Sequence, residues 1–186
     1  PGLHNEAGTF TNGGKITSGI TATIGGSHPN LHNNATFVNQ ATGEIRIDYC
    51  TKAGLQNSFN GSFTNEGLVD IGKNVNGGEQ GFYNDGTVDN KSTGVINIDR
   101  VATTGFFSNG LYNGFNKTFT NAGKITIGLA ASAGKNGLYN YGDFNNNGGE
   151  IDINRITGTG DRQGLRHENG TFTNTGKIAI GRIGAV

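Results

Sequence analysis

Apolar residues fall along this chain in short alternating sets, three to four residues long and bounded by Gly and Asn. One set is Ile-X-Ile: Ile45-Arg46-Ile47, Val69-Asp70-Ile71, Ile96-Asn97-Ile98, Ile125-Thr126-Ile127, Ile151-Asp152-Ile153 and Ile178-Ala179-Ile180. Only the first copy, Ile16-Thr17-Ser18, departs. Alternation with a period of two marks a half-buried strand, with successive side chains on opposite faces. No segment keeps helical spacing over a useful length, so the pattern predicts an all-β chain of very short strands.

Two further sets recur in the same order. Gly-apolar-X-Asn occurs at Gly54-Leu55-Gln56-Asn57, Gly81-Phe82-Tyr83-Asn84, Gly110-Leu111-Tyr112-Asn113 and Gly137-Leu138-Tyr139-Asn140, and also at Gly2-Leu3-His4-Asn5. Asn30-Leu31-His32-Asn33 lacks the Gly, and Gly164-Leu165-Arg166-His167 replaces the last Asn. Next comes Thr-Phe-Thr-Asn or a variant, centred on Phe10, Phe37, Phe63, Val88, Phe119, Phe144 and Phe172. Two residues on from each lies an Asn: Asn12, Asn39, Asn65, Asn90, Asn121, Asn146 and Asn174. From Leu3 to Leu165 is 162 residues in six steps, a mean of 27. The chain therefore reads as seven coils starting near residues 2, 30, 54, 81, 110, 137 and 164, in one segment spanning 1–186.

A longer period of two coils overlies the first. Odd copies carry a short link between the second and third sets, such as Ala122-Gly123, and even copies a longer one, such as Gln40-Ala41-Thr42-Gly43. Even copies end Ile-Asp or Ile-Asn (Asp48, Asp99, Asn154), whereas copies three, five and seven end Ile-Gly (Gly72, Gly128, Gly181). A duplicated pair of coils explains both features.

Three short strands per coil predict a triangular parallel β-solenoid with coils stacked at about 4.8 Å. Right-handed crossover is the default for parallel strands. Phe and Leu/Ile columns fill the interior. Both Asn columns share parity with those apolar residues, so their amides are expected inward at the corners, bonded coil to coil in ladders.

Composition alters this picture little. Gly contributes 34 residues and Asn 26, a mix that read blindly suggests disorder; the regular apolar recurrence overrides it. Formal net charge is zero and no Lys/Arg run occurs, so nothing attracts nucleic acid or an anionic membrane. No apolar stretch approaches the ~20 residues of a membrane-spanning helix. Cys50 is the sole cysteine, which rules out an internal disulfide and a thiolate zinc cage. The abrupt start and finish beside repeat boundaries lead us to expect a piece of a longer repeat protein.

Strings such as Gly8-Thr9-Phe10-Thr11-Asn12 and Gly123-Lys124-Ile125-Thr126-Ile127-Gly128 resemble repeats of large bacterial surface and secreted adhesins of the filamentous-haemagglutinin-like β-helix kind. That resemblance covers the whole chain. It implies secretion, display at the bacterial cell surface and adhesive or filament-building roles, and it brings no catalytic residues.

Several outward positions merit weighing. Tyr83, Tyr112 and Tyr139 fall on consecutive coils, with Tyr141 and Phe115 near, and are expected to form an exposed aromatic ladder able to stack sugar rings or pack on another chain. Plain β-propensity explains them too. Thr-X-Thr arrays resemble those of ice-binding solenoids, but Val38, Asp89 and Asp143/Asn145 interrupt them. Asp48, Asp70 and Asp99 lie near one corner on successive coils, the arrangement a polysaccharide-cleaving β-helix would need; drift within the two-coil repeat accounts for them better. His4 and His32 stack without carboxylate partners, a poor metal site, and no calcium-binding nonapeptide occurs. Sequons such as Asn34-Ala35-Thr36 arise by chance in an Asn- and Thr-rich chain.

The expectation is thus a non-enzymatic stalk segment without cofactor or metal. Its partners would be neighbouring solenoid repeats or copies of itself meeting at open ends, and cell-surface glycans in the adhesin alternative.

Overall fold

The computed structural model describes residues 2–19, 28–49, 51–74, 79–101, 108–157 and 162–181. Cys50 lies outside them. The chain forms the expected all-β parallel solenoid, with three parallel sheets of seven strands and no helix among the described residues. Seven rungs span about six turns of roughly 27 residues.

The first sheet contains Leu3–Asn5, Leu31–Asn33, Ala53–Asn57, Gln80–Asn84, Asn109–Asn113, Asn136–Asn140 and Gln163–His167. The second contains Thr9–Asn12, Thr36–Asn39, Ser62–Asn65, Thr87–Asn90, Thr118–Asn121, Asp143–Asn146 and Phe172–Asn174. Lys15–Ser18, Glu44–Ile47, Leu68–Ile71, Val95–Ile98, Lys124–Ile127, Glu150–Ile153 and Lys177–Ile180 make the third. Within each sheet a strand pairs only with its equivalents one turn away, so every column contains one residue per rung.

The core is a set of such columns. In rungs two to six the Leu, Phe and Ile positions are fully buried. Phe10, Phe37 and Phe63 stack at 4.9 and 5.3 Å between centroids, and Phe119, Phe144 and Phe172 do so at 4.9 and 5.3 Å. Rung four departs in a compensated way. Val88 occupies the Phe column while Phe82 occupies the Leu column, and the Phe82 ring bridges the gap, edge-on to Phe63 at 5.6 Å and Phe119 at 5.8 Å. Two size changes in opposite directions keep the layer full, as close packing demands.

Two amide columns line the corners flanking the second sheet. At one, Nδ2 of Asn5, Asn33, Asn57, Asn84 and Asn113 each donates to the Oδ1 one rung on, at 2.8 to 2.9 Å. Asn140 ends that column on His167 Nδ1 at 3.0 Å. At the other, Asn12, Asn39, Asn65, Asn90, Asn121, Asn146 and Asn174 are linked the same way at 2.7 to 2.8 Å. From rung two to rung six each Nδ2 also holds a carbonyl of the turn that follows it, such as Gly43 for Asn39 and Gly67 for Asn65. Stacked amides thereby satisfy polar backbone that the narrow interior would otherwise strand.

Candidate functional site

The interior of the described rungs is filled, so the candidate sites among the described residues lie on the outer columns. On the first sheet the outward column reads His4, His32, Gln56, Tyr83, Tyr112, Tyr139, Arg166, in continuous register. Tyr83 and Tyr112 stack at 5.2 Å with ring planes 13° apart, while Tyr112 meets Tyr139 edge-on at 5.2 Å. The expected exposed ladder is therefore corrected in one respect: the three rings are half-buried, because each hides part of its neighbour. Burial pushes the Tyr83 hydroxyl up to about 12, with the Asp85 charge adding to it. Tyr139 is pushed up to about 12 by burial and by its hydrogen bond to Glu168, which Arg166 also holds. These hydroxyls stay protonated at physiological pH and act as donors, as Tyr139 does toward Glu168.

Beside this column, at the corner leading to the second sheet, lie Phe59, Phe115 and Tyr141. Phe59 is 72% and Phe115 51% exposed. Phe115 contacts Tyr141 at 5.4 Å, Tyr141 contacts Tyr139 at 6.5 Å, and Lys117 Nζ sits 3.6 Å over the Phe59 ring. The sequence reading missed Phe59. It lies in the four-residue link 58–61, equivalent to the link holding Phe115 two rungs away, and that shared offset is the available signal. Six aromatic rings thus spread over rungs three to six, rimmed by Asp85, Lys117, Arg166 and Glu168.

The third sheet presents a shallow groove of about 470 Å³ lined by Val95, Asn97, Lys124, Thr126, Leu129, Asp152 and Asn154. The three expected carboxylates do not share one column, but Asp70 and Asp99 line one small pocket of about 160 Å³ with Lys73, Asn97, Thr126 and Leu129. Asp70 sits within its strand, opposite Arg46 and Asn97, whereas Asp48 and Asp99 lie past the strand ends at the corner. Asp48 is fully buried and accepts from the Asn74 backbone amide at 3.0 Å. Asp99 accepts from the Ala130 amide at 2.7 Å, and Asp70 from Asn97 Nδ2 at 2.8 Å. All three are occupied as hydrogen-bond acceptors within the wall.

On the second sheet the Thr columns are interrupted at the expected residues, Val38, Asp89, Asp143 and Asn145. One column runs unbroken as Thr9, Thr36, Ser62, Thr87 and Thr118 before Asp143. The neighbouring column reads Thr11, Val38, Thr64, Asp89, Thr120, Asn145, Thr173, so the face as a whole is no regular Thr plane.

His4 and His32 stack at 4.4 Å, and the expectation that they lack a carboxylate partner is overturned: Glu6 lies 2.6 Å from His4 Nε2. Burial, then the His4 charge, lowers the His32 pKa. Among the described residues no group of three or more His, Cys, Asp or Glu side chains is placed to hold a metal. No protein-family model, curated protein or solved structure matches the chain.

Proposed function

We propose that the chain is a non-enzymatic, rod-building segment of a large bacterial surface or secreted protein, adhesin-like in kind. The observation that carries this reading is the continuity of the stack: three seven-stranded parallel sheets in unbroken register enclose apolar columns that are fully buried from rung two to rung six. The mechanism is mechanical: parallel ladders, stacked rings and amide columns make stability additive over rungs, and the stack displays whatever adjoins it. Antibody raised against this segment should label intact, unpermeabilised cells by immunogold microscopy. Label confined to the cell interior would end the reading.

A second reading is favoured by the aromatic corner. A patch of six rings rimmed by charged groups suits the apolar faces and hydroxyls of a glycan, and so supports a carbohydrate-binding adhesin module. A glycan-array screen should then show binding that is lost in the triple variant Tyr83→Ser, Tyr112→Ser, Tyr139→Ser and in Phe59→Ala with Phe115→Ala. An array with no bound glycan would leave the rod reading alone.

A further inference from the structure

Just past the first amide column, each rung sets one residue at the outer corner. In rungs three to six these are Ser58, Asp85, Gly114 and Tyr141, which follow the ladder residues Asn57, Asn84, Asn113 and Asn140. Their backbone amides each donate to the ladder residue's carbonyl one rung back, so the positions stack in register. Gly114 therefore leaves a notch in rung five. Asp85 walls it on one side and Tyr141 on the other, two rungs apart, about 10 Å at strand spacing. A Cβ on Gly114 would come within 3.0 Å of Asp85 Oδ1 and 3.4 Å of Lys117 Cγ, so both side chains lean over the glycine. Phe115 closes on Tyr141 at 5.4 Å.

The charges around this notch are not equivalent. Arg166 and Glu168 pair with each other. Asp85 is half-buried, and among the described residues its carboxylate has no hydrogen-bond or ion-pair partner. Burial raises the Tyr83 and Tyr112 hydroxyls, and the Asp85 charge adds to the rise at both. A carboxylate that has lost part of its hydration without gaining a partner is stabilised by an incoming cation.

The corner already holds one cation in the manner a ligand would need. Lys117 lays its stem across Gly114 and sets Nζ 3.6 Å over the centre of the Phe59 ring. Its ammonium rests on an aromatic face, with no carboxylate in ion-pair reach among the described residues. Asp85 stands in the rung between the links that carry Phe59 and Phe115. A ligand that suits the notch thus offers an ammonium to Asp85, an apolar face to Phe115 and oxygen acceptors to the tyrosine hydroxyls. One amino-sugar ring carries all three. A lysine side chain brings the ammonium without the acceptors.

We infer that the notch over Gly114 binds a sugar bearing a free ammonium group, with Asp85 as counter-ion, Phe115 and Tyr141 as stacking faces, and Lys117 as a resident cation that the sugar displaces. Displacement of Lys117 also frees the covered face of Phe59. The inference rests on the glycan reading and names the class of glycan.

The test is calorimetric titration of the chain with a glucosamine oligomer and with the same oligomer fully N-acetylated. Acetylation removes the charge, so the free-amine form should bind at least about tenfold more tightly. Its binding should weaken with added salt. Asp85→Asn should lower affinity for the glucosamine oligomer about tenfold and erase the difference between the two oligomers. Lys117→Gln should raise affinity severalfold, because the competing ammonium is gone. Equal binding of both oligomers would overturn the inference and leave the glycan reading standing. Binding of neither would overturn it too, and the glycan array then decides the broader reading separately. Loss of binding in Lys117→Gln would mean an acidic ligand, and an oligolysine that binds as tightly as the sugar would mean a basic peptide; either result would sink the assignment. The comparison of the two oligomers needs no variant, so it stands whatever the substitutions do to folding.

Discussion

Replacing Asn121 with Ala tests whether the amide columns hold the stack or merely decorate it. Asn121 Oδ1 accepts from Asn90 Nδ2 at 2.7 Å, and its own Nδ2 donates to Asn146 Oδ1 at 2.8 Å and to the Gly123 carbonyl at 3.3 Å. Asn90 and Asn121 are fully buried and Asn146 nearly so, leaving water no entry without opening the rung. After truncation, Asn90 Nδ2 keeps the Gly94 carbonyl at 3.3 Å, but the interaction donated to Asn146 Oδ1 is gone. One orphaned buried acceptor at about 1–3 kcal/mol, plus two lost net bonds at about 1 kcal/mol each, gives a cost of about 3–5 kcal/mol.

The same change at Asn174 should cost under about 1 kcal/mol, because that residue is exposed and water replaces what is lost. Stability in a stack is local, so the assay is urea unfolding together with amide hydrogen exchange read rung by rung. Protection should fall most in rungs five and six for Asn121→Ala. Equal costs at the two positions would refute the argument. Asn121→Asp sharpens it: a carboxylate oxygen in place of Nδ2 would face the Asn146 Oδ1 acceptor, so this variant should be worse than Ala at neutral pH and recover on acidification.

The compensated fourth rung predicts strong coupling. Phe82→Leu opens a cavity and Val88→Phe overfills the layer, each costing about 1–3 kcal/mol, while the double variant should approach wild type; additive costs in a double-mutant cycle would contradict it. Gly67→Ala should destabilise by more than about 2 kcal/mol, because its Cβ meets fixed carbonyls, whereas Gly14→Ala, with open space around it, should stay within about 0.5 kcal/mol in thermal melts. For His32 the folded pKa lies below the ordinary 6.5, so the unfolded chain binds more protons between the two values. Its contribution is complete above pH 6.5 and is lost as pH falls through that window; exchange protection of rungs one and two should drop there, and His32→Gln should flatten the response.

Much of this architecture was legible because a solenoid repeats its constraints. Period-two apolar sets fixed the strands, and Asn12, Asn39 and their equivalents shared parity with Phe10 and Phe37, which put them on the inner side. What single columns could not reveal was compensation between columns. Val88 reads as a weakened Phe position until Phe82 is seen crossing the interior to fill its place. Likewise, the alternation of link lengths is visible in the sequence, but its packing consequence is not: Gly67 is needed because its turn nests on the Gly43 and Gln40 carbonyls of the turn beneath. Asp70 shares the corner with Asp48 and Asp99 in the sequence pattern, but it lies two residues earlier in its rung, so it enters a different column while still lining one pocket with Asp99.

The aromatic corner raises a question of ring faces rather than of residue counts. Tyr83 and Tyr112 are stacked nearly parallel, so each spends a face on the other, and Tyr139 turns an edge to Tyr112 while Arg166 lies 5.0 Å over its ring. A sugar needs a free face. Phe59, although Lys117 Nζ covers one of its faces at 3.6 Å, and Phe115 are the more exposed rings, on equivalent links two rungs apart, about 10 Å at strand spacing. Exposing a Phe side chain that could be buried forgoes about 1.5–3 kcal/mol, and neither ring covers a core column. Within the glycan reading these two therefore contribute the stacking surface, and the tyrosines supply a floor and hydroxyl donors. Loss of binding should accordingly be larger for Phe59→Ala with Phe115→Ala than for the tyrosine triple. The reverse order would mean that the tyrosines rearrange to free their faces.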